Sequence, residues 1–506
     1  MGELSNIATG ERVAVTIDAP PHWSDHHIQG RAVLPAVEAM QLLTHWAQRF
    51  RTGVNVRCIR EAAFDRFLEL PSTGGRIQAL CEIEDLTDGG LRVVLLTKTL
   101  SKSSGMTRTK VHARIDFCKP TAFPSLPDLD LAAALDGVCF SVDPESIYKE
   151  LVPFGPTFQT ICQPLRLTKE GALAVIHAPE LRNTQTPLHL GSPFVLDGAF
   201  HAACVWSQRF AGIVAFPVGI EERLVIGRTR PGETYVCRVF PVQTDSAQLI
   251  FDIWIVDMQG RLYEKLTGVR MRDVSGNTLK PPGFIRCCGG AGPLPRIAGH
   301  CAAVALIDRA TVMPFAGECL GEVERLRSMK MGPKRLTDYL SARLACKRLS
   351  RRLSENDRHT PAREILTLAE DEIRPSCPAT NGRNYACSVA HDGRFAVAVA
   401  SEHPVGIDVE PLDDRALKGM HIYMRDAEQE AVGASKLGAI GAAVRVWTAK
   451  EAIAKMLAMP LAEVWSRACM LTIGDERGEV GIQDGQVVAV VYETVEDHVF
   501  ALACAE

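Results

Sequence analysis

Apolar residues recur at helical spacing in two separate segments of the chain, and segments of alternating polarity follow each of them. In residues 36–50 the apolar side chains share one helical face directly after Pro35, which predicts an amphipathic helix. Residues 197–210 show a second helical pattern. Strands are predicted where polar and apolar residues alternate, at 76–83, 91–100 and 107–117 after the first helix and at 234–240, 248–256 and 261–271 after the second.

The repeated order of one helix and several strands indicates two similar units in tandem. Residues 257–260, Asp-Met-Gln-Gly, are typical of a hairpin turn, so the flanking strands are expected to pair antiparallel. Each unit would then wrap one sheet around one buried helix. Residues 1–280 are therefore predicted to form a pseudo-dimer built from a single polypeptide.

A further region begins after residues 281–298, which are rich in proline and glycine and lack periodicity, as expected of a linker. In residues 299–506 strands and helices alternate again, which predicts an α/β or α+β domain, and the fold class of the whole chain is predicted to be α+β. Here the predicted strands are 301–307, 385–390, 394–401 and 405–409, the main helix is 442–457, and a last hairpin turns at 483–486.

Composition narrows the class of protein. The 506 residues are 46% hydrophobic and 23% charged with a net charge of −4, which suits two or three domains with cores of their own. The apolar runs stop well short of the roughly 18 residues that a membrane span needs, and residues 1–12 lack the pattern of a secretory signal. The sixteen cysteines are scattered without a CxxC pair. We therefore expect a cytoplasmic protein with reduced thiols.

Two short motifs near the predicted helices form a candidate acid–base pair. The first reads HxxxGxxxxP from His26 through Gly30 to Pro35, and the second reads DxxxH from Asp197 to His201. A lone histidine before a helix is usually structural, and a lone aspartate there is usually an N-cap, but each motif abuts a predicted helix. Together they resemble the active site of double-hotdog dehydratases of polyketide and fatty-acid synthases. Residues 154–158 and 216–219 extend this resemblance.

The resemblance implies removal of water from a 3-hydroxyacyl thioester carried on a phosphopantetheine arm. His26 suits the base because the free imidazole pKa of about 6.5 lies near neutral pH, and Gly30 would let the thioester carbonyl reach backbone N–H groups. Asp197 and His201, four residues apart, share a helix face. Asp197 would bind or protonate the leaving hydroxyl while His201 orients it. Alternatively, Asp197 only accepts a hydrogen bond, and His26 both takes and returns protons.

A second pair of motifs lies in the last hundred residues. Residues 406–410 read GIDVE, and residues 447–455 read WTAKEAIAK. Asp408 and Glu410 alternate on a predicted strand and so point the same way, while Glu451 and Lys455 share a helix face. These motifs resemble the surfactin-type phosphopantetheinyl transferases. Three converging carboxylates form the hard oxygen site that Mg²⁺ prefers.

This second resemblance implies transfer of 4′-phosphopantetheine from coenzyme A to a carrier-protein serine. Glu451 would accept the serine proton besides touching Mg²⁺, and Lys455 would neutralise the pyrophosphate. By the same resemblance His391 contacts a coenzyme A phosphate, and Arg343 and Lys347 hold the 3′-phosphate. The sequence departs from the family pattern at Asp392, where serine is frequent, which bears on carrier preference more than on the chemistry.

Positive charge is concentrated in residues 325–352, which hold ten Lys or Arg and one acid. Phosphate binding and docking of an acidic carrier protein explain this stretch better than nucleic acid does, because no nucleic-acid motif or aromatic platform accompanies it. The chain has no DSL-like carrier serine of its own. The carrier is therefore expected on a separate synthase.

We therefore predict a bifunctional enzyme of polyketide or polyunsaturated fatty-acid type biosynthesis, with neither a membrane span nor a nucleic-acid partner. Double-hotdog dehydratases are often dimers, so a homodimer is possible, but the sequence leaves the oligomeric state open. Three alternatives stay open at this point. The first half could be a hotdog thioesterase or isomerase, or a non-catalytic module that docks acyl carriers, and the second half could bind coenzyme A without transferring its arm.

Overall fold

The structure is a computed structural model of the 506-residue chain. The residues it describes are 10–51, 53–71, 75–100, 107–118, 135, 137–180, 187–244, 248–286, 294–311, 319–354, 360–367, 375–379, 383–483 and 485–505. Parts of the predicted linker (287–293) and of the last predicted turn (484) lie outside this set. The chain folds into two units: Met1–Pro127 with Phe140–Cys288, and Asp128–Cys139 with Gly289–Glu506.

The first unit is built mainly from strands. Its elements up to the middle of the unit are β1 (Glu11–Ala19), β2 (His27–Ile28), β3 (Arg31–Ala32), α1 (Ala36–Phe50), β4 (Cys58–Ala63), β5 (Gly75–Asp85), β6 (Leu91–Leu100) and β7 (Thr107–Phe117). The remainder are β8 (Phe140–Val142), α2 (Pro144–Ser146), β9 (Leu165–Thr168), β10 (Gly171–His177), α3 (Pro193–Trp206), β11 (Phe216–Val225), β12 (Thr234–Thr244), β13 (Leu249–Asp257) and β14 (Leu262–Arg272).

One twelve-stranded sheet runs through this unit in the order β1-β5-β6-β7-β4-β11-β14-β13-β12-β10-β9-β8. The first five strands precede the middle of the unit in sequence and the other seven follow it. The two halves join where β4 pairs antiparallel with β11, with Ala62 opposite Ile220. Strand order and pairing thus give the two predicted hotdog halves, but the halves share one continuous sheet where two sheets were predicted.

Each half of the sheet packs against one helix. α1 contacts β5, β6 and β7, whereas α3 contacts β10, β12 and β13. Met40 and Leu43 of α1 are fully buried, and every residue of α3 is buried. A helix that is buried all round is expected to be apolar, so Asp197 and His201 are conspicuous on α3.

The bounds of the first helix and of β6 and β7 agree with the sequence predictions, but the second helix begins four residues earlier than predicted. It starts at Pro193 rather than at Asp197, because proline at the first helical position carries the fixed φ and the missing donor that a helix start tolerates. Asp197 therefore lies in the second turn. The N-terminal N–H groups of the helix are not available to its carboxylate.

The second unit combines strands with longer helices. Its elements are α4 (Pro295–Ala298), β15 (Ala303–Asp308), α5 (Glu322–Ser328), α6 (Pro333–Leu353), β16 (Ala386–His391), β17 (Phe395–Ser401), β18 (Val405–Pro411), α7 (Arg415–Tyr423), α8 (Asp426–Gly433), α9 (Gly438–Leu457), α10 (Leu461–Arg467), β19 (Ala468–Ile473), β20 (Arg477–Ile482), β21 (Val487–Val495) and β22 (His498–Cys504).

These strands form two antiparallel sheets, each packed against one long helix. The three-stranded sheet β15-β17-β16 packs against α6, and the five-stranded sheet β18-β22-β21-β20-β19 packs against α9 through β18 and β22. The unit is therefore α+β with two similar layers. Gly137 N also donates to Leu306 O at 3.0 Å, so residues that precede the second hotdog half contribute to this unit, which the sequence pattern did not indicate.

No helix in the described ranges is long and apolar enough to cross a membrane.

Candidate functional site

His26, Asp197 and His201 line one cavity in the first unit. The cavity has a volume of about 70 Å³ and is walled mainly by apolar side chains, among them Leu34, Phe154 and Phe200. The predicted histidine of the first half and the predicted carboxylate of the second half therefore face the same space. An apolar lining with a few polar groups that face one space is typical of a small-molecule site.

His26 is held in this cavity by its backbone and by aromatic neighbours. It follows the short 3-10 helix Pro21–Asp25, and its carbonyl accepts a hydrogen bond from Val33 N at 3.0 Å. Its ring lies 4.3 Å from that of Phe154. Phe154 reaches this position because Gly155 packs directly on Asp25, where any Cβ would lie 2.6 Å from Asp25 Cγ.

The surroundings keep His26 neutral. Burial lowers the pKa of His26 to about 4, although the charge of Asp197 acts in the opposite direction. Its Nδ1 atom is buried and has no hydrogen-bond partner within the described part of the chain. A neutral imidazole with an unused nitrogen facing an apolar cavity can accept a proton from a bound molecule.

Asp197 and His201 form a close pair on α3. His201 Nε2 lies 2.9 Å from Asp197 Oδ2, and both side chains are almost fully buried. Neither atom has an aligned hydrogen bond among the residues described, so the contact is an ion-pair distance rather than a well-directed bond. Capacity therefore remains on Asp197 Oδ2 for a ligand hydroxyl.

Tyr148 is a third residue in contact with this pair, and the sequence analysis did not predict it. Its hydroxyl accepts a hydrogen bond from Ile161 N at 2.8 Å and lies 3.4 Å from His201 Nδ1. The hydroxyl proton can therefore go to Nδ1, which leaves Nε2 as the protonated nitrogen facing Asp197. Tyr148 belongs to neither motif, so only the folded chain reveals it.

A second cluster of predicted residues meets where β18 crosses α9. A side chain at Gly406 would overlap the Ala452 carbonyl oxygen, so the glycine of the GIDVE motif permits the strand to lie directly on the helix. That close approach brings Asp408 and Glu410 beside Glu451 and Lys455.

Lys455 is the cation of this cluster. Its Nζ lies 2.8 Å from Asp408 Oδ1 and 4.0 Å from Glu451 Oε2, and it donates to Ile407 O at 3.0 Å. Glu410 accepts a hydrogen bond from Trp447 Nε1 at 3.2 Å. Lys455 thus links Asp408 with Glu451, whereas Glu410 interacts with these two carboxylates only through its charge.

Three carboxylates with a single adjacent lysine carry excess negative charge. Burial raises the pKa of Asp408, and burial together with the Asp408 charge raises the pKa of Glu410 and that of Glu451, the latter to about 7. These shifts therefore report burial first and, for Glu410 and Glu451, repulsion between neighbouring carboxylates second.

The donor set fits a hard cation. Asp408 Oδ2 is buried without a hydrogen-bond partner among the described residues, and carboxylate oxygens are the ligands that Mg²⁺ prefers. Among the described residues, however, no three His, Cys, Asp or Glu side chains are gathered closely enough to form a metal site. Asp408, Glu410 and Glu451 are the residues that would hold the ion by their chemistry, but their predicted convergence is not seen in this arrangement.

Two family models match the chain. Residues 128–281 match the polyketide synthase dehydratase N-terminal domain, and residues 404–503 match the 4′-phosphopantetheinyl transferase superfamily. The chain joins a polyketide synthase dehydratase domain to a phosphopantetheinyl transferase domain. The dehydratase match includes Asp197 and His201 but not His26, and the transferase match includes the whole β18–α9 cluster.

Solved structures similar to the chain include three dehydratase domains. The bifunctional dehydratase-cyclase domain of ambruticin biosynthesis is 20% identical with a TM-score of 0.40, covering 52% of this chain and 91% of that one. The dehydratase of the CurF module of the curacin polyketide synthase is 18% identical with a TM-score of 0.42 (53% and 95%). The dehydratase domain of PpsC from Mycobacterium tuberculosis, solved with C12:1-CoA, is 18% identical with a TM-score of 0.40 (53% and 98%). No curated protein sequence matches the chain.

Gly30 has a different place in the dehydratase domain from the one predicted. Gln29 and Gly30 have φ values of 50° and 75° and form the two-residue turn between β2 and β3, as a type I′ hairpin requires. Gly30 is exposed and does not line the cavity. The glycine is therefore needed for the turn, and its predicted role in opening the backbone to a thioester does not fit this position.

Lys347 and Arg343 of the transferase domain are buried in the structure. Lys347 Nζ contacts Glu324 Oε2, Ala362 O and Ile365 O at 2.7–2.8 Å, which uses all three of its donors. Arg343 donates to Thr367 O at 2.8 Å. The predicted contact of Lys347 with the 3′-phosphate does not fit, because the spacing that puts both residues on one helix face cannot tell whether that face is exposed.

His391 does reach the surface of the transferase domain. It lines a cavity of about 540 Å³ together with cations that include Arg309, Lys334 and Arg415. Glu410 of the carboxylate cluster lines the same cavity. Burial lowers the pKa of His391, so a phosphate here would meet the neighbouring arginines and lysine as its charged partners.

Asp392, the departure from the family pattern, has a structural explanation. Its carboxylate lies 2.6 Å from His498 Nε2 and accepts the N–H groups of Arg394 and Phe395. It therefore fixes the turn between β16 and β17 against β22.

On α9, Lys450 of the WTAKEAIAK motif is fully buried, and its Nζ lies 2.8 Å from Glu428 Oε2. Lys450 therefore does not belong to the carboxylate cluster.

Proposed function

We propose that the chain is a bifunctional biosynthetic enzyme of polyketide or polyunsaturated fatty-acid type. Residues 1–280 dehydrate 3-hydroxyacyl thioesters to 2-enoyl thioesters, and residues 299–506, after the linker 281–298, transfer 4′-phosphopantetheine from coenzyme A to a carrier-protein serine. The observation that carries the first activity is the shared cavity of His26 and Asp197. The second rests on the β18–α9 cluster within the matched transferase segment.

In the proposed dehydration, neutral His26 removes a proton from the α-carbon of the thioester. Asp197 accepts a hydrogen bond from the β-hydroxyl, and His26 returns the proton it has taken to that oxygen. The C–O bond then breaks, the double bond forms and the hydroxyl leaves as water. His201, fixed by Tyr148, keeps the Asp197 carboxylate in position. The apolar wall around Phe154 and Phe200 excludes bulk water and so favours the enoyl product over rehydration.

In the proposed transfer, the carrier serine attacks the phosphorus that bears the pantetheine arm. Glu451 takes the serine proton. Lys455 stabilises the negative charge on the pyrophosphate as the nucleotide leaves. Asp408, Glu410 and Glu451 would hold Mg²⁺, which would supply further neutralisation of that charge. His391 and the cations beside it line the cavity proposed for coenzyme A.

The proposed partner is an acyl carrier protein, or carrier domains of a separate synthase, in the cytoplasm. The carrier would present the serine to the transferase domain first and the 3-hydroxyacyl group to the dehydratase domain later. Exposed basic residues such as Lys334 and Arg335 at the start of α6 suit an acidic carrier surface. We propose a homodimer as the functional form.

The dehydratase proposal is tested by substituting its base. His26→Ala should reduce the rate of water loss from a synthetic 3-hydroxyacyl pantetheine thioester by 10²-fold or more, followed by mass spectrometry. His27→Ala is the matched control, because this neighbour lies outside the cavity lining. Dehydration that persists at full rate in His26→Ala removes the assigned base. Release of free acid by the wild type would instead identify a thioesterase.

The transferase proposal is tested on apo-carrier proteins. Incubation with coenzyme A and Mg²⁺ should add the mass of one phosphopantetheine arm, and Glu451→Gln should abolish the gain. Glu463→Gln, an exchange of the same kind on α10, should retain it because Glu463 pairs only with Arg467 among its described neighbours. Absence of any gain across several carriers would leave a domain that binds coenzyme A without transfer.

A further inference from the structure

The dehydratase domain contains a second cavity that shares no lining residue with the first. It has a volume of about 570 Å³ and is formed by the end of β1, the 3-10 helix Pro21–Asp25, one face of α1 and the start of α3. This volume lies in the range of small-molecule sites. The proposed dehydration uses none of the residues that line it.

The second cavity also lies where a helix meets the segment that precedes the other helix. In the first cavity the segment before α1, with His26, faces Asp197 on α3. In the second, the segment before α3 faces α1: Gln41 Nε2 donates to Gly191 O at 2.6 Å and Gln41 Oε1 accepts from Leu190 N at 3.3 Å. In both places, the helix of one hotdog half faces the segment that precedes the helix of the other half.

The walls of the second cavity combine apolar and polar groups. Ile17, Leu42, Trp46 and Phe194 supply apolar surface. His22 Nε2 and Glu38 Oε1 lie 3.5 Å apart with both side chains largely buried. A ligand with an apolar chain and a hydroxyl or amide group matches this lining.

Two buried donors in the wall have no hydrogen-bond partner among the residues that the structure describes. They are Trp23 Nε1 and Ser192 Oγ, on residues that are 2% and 1% exposed. A buried polar group left without a partner is destabilising, so both donors are expected to meet a ligand or water in this cavity.

Backbone contacts with Thr229 hold the segment that carries Ser192. Gly191 has a φ of 86°, and a Cβ there would lie 2.6 Å from Thr229 N. Ser192 N donates to Thr229 O at 2.9 Å. The position of Ser192 is therefore fixed before any ligand arrives, as in a preformed site.

We propose that the second cavity binds an acyl-pantetheine chain, so that each dehydratase domain holds two such chains, one in each crevice. The proposal rests on the proposed dehydratase function, which supplies the ligand class. The acyl part would lie against Leu42 and Trp46. The pantetheine amides and the acyl hydroxyl would meet Trp23 Nε1, Ser192 Oγ and Glu38.

The test uses the full chain and one photoreactive probe. The probe is 3-hydroxydecanoyl pantetheine with an amide in place of the thioester and a diazirine at the end of the acyl chain. After irradiation the intact mass should show up to two additions per chain. Tandem mass spectrometry should place one on residues of the first cavity such as Phe200 and the other on residues of the second such as Trp46.

Matched variants assign each addition. Leu42→Trp fills the second cavity and should lower its label at least tenfold while the first label and dehydration stay unchanged. His26→Phe should lower the label in the first cavity and leave the label in the second cavity unchanged. Ser192→Ala and Glu38→Gln, which remove hydrogen-bonding groups without adding bulk, should also weaken the second label and so provide the answer if Leu42→Trp fails to fold.

Labelling confined to the first cavity at a probe concentration that saturates it would overturn the proposal and leave the second cavity to water. A second label that none of the three variants changes would overturn it equally. Failure of the dehydratase function has a different signature: a 3-hydroxyacyl thioester would then lose no water while the probe still labels Trp46.

Discussion

His26 owes its proposed role to where its ring is placed rather than to its residue type. An imidazole in water is half protonated near pH 6.5, whereas burial among aromatic rings lowers the pKa of His26 to about 4. The folded state therefore favours the neutral ring. This contribution to stability is complete above pH 6.5 and is lost as the pH falls toward 4.

The titration of His26 gives the first prediction. In the full chain with ¹⁵N-labelled histidine, the His26 ring should stay neutral from pH 7 to pH 5, as NMR chemical shifts would report. Asp197→Asn should lower the pKa of His26 further, because the Asp197 charge raises it in the wild type. A His26 ring that is half protonated near pH 6.5 would contradict the burial described here.

At this scale the sequence located residues but not their surroundings. His26, Asp197 and the carboxylates of β18 and α9 were predicted because the spacing of residues within a short motif can be read directly from the sequence. Tyr148 was not, since its link to His201 spans 53 residues without a shared motif. The role of Lys347 was predicted wrongly for a related reason. Helical spacing shows which residues share a helix face, but it does not show whether that face is buried.

Among the elements, the β2–β3 hairpin sets the backbone directly after His26. Its turn depends on Gly30, whose φ of 75° is unfavourable for any residue with a Cβ. Since a side chain there would meet no atom within 4 Å, the penalty of a substitution comes from the backbone alone.

We predict that Gly30→Ala lowers the free energy of unfolding by about 1–2 kcal/mol. Gln29→Asn should raise it by a few tenths of a kcal/mol, because asparagine tolerates the left-handed region and suits the first position of this turn. Both changes can be measured by urea denaturation of the dehydratase transition. If Gly30→Ala abolished dehydration without changing stability, the predicted role of Gly30 at the thioester would return.

Helix α6 depends on the buried pair of Lys347 and Glu324. Lys347→Ala should destabilise the transferase domain by about 3–5 kcal/mol, because it leaves the Glu324 carboxylate buried without a counter-charge. The double variant Lys347→Met with Glu324→Gln should recover more than half of that loss in thermal unfolding.

The same double variant separates a structural lysine from a phosphate ligand. Its KM for coenzyme A should stay within twofold of the wild type. A tenfold rise in that KM, with the KM for 3′-dephospho-coenzyme A unchanged, would restore Lys347 as a ligand of the 3′-phosphate.

Strand and helix positions were the most predictable part of the fold. α1, β6 and β7 follow directly from periodicity and flanking turns, and the start of α3 was missed because Pro193 and the apolar residues after it show no contrast between two faces. The continuous sheet through β4 and β11 could not be foreseen, since strand pairing across halves leaves no local pattern.

At the scale of the whole molecule, the proposed dehydratase site lies entirely in the first unit and the proposed transferase site entirely in the second. We therefore predict that the two activities are separable by single substitutions. The His26→Ala variant should transfer phosphopantetheine to apo-carrier at the wild-type rate. The Glu451→Gln variant should dehydrate a preloaded 3-hydroxyacyl thioester at the wild-type rate. A substitution that lowers both rates together would indicate that the units depend on each other.

The β4–β11 pairing, which fuses the hotdog halves, also has an evolutionary consequence. When two identical hotdog chains associate, every mutation is present in both crevices, so neither can change alone. In this chain a mutation alters only one of them. One crevice can retain its acid–base pair under selection while natural variation reshapes the other for a different task.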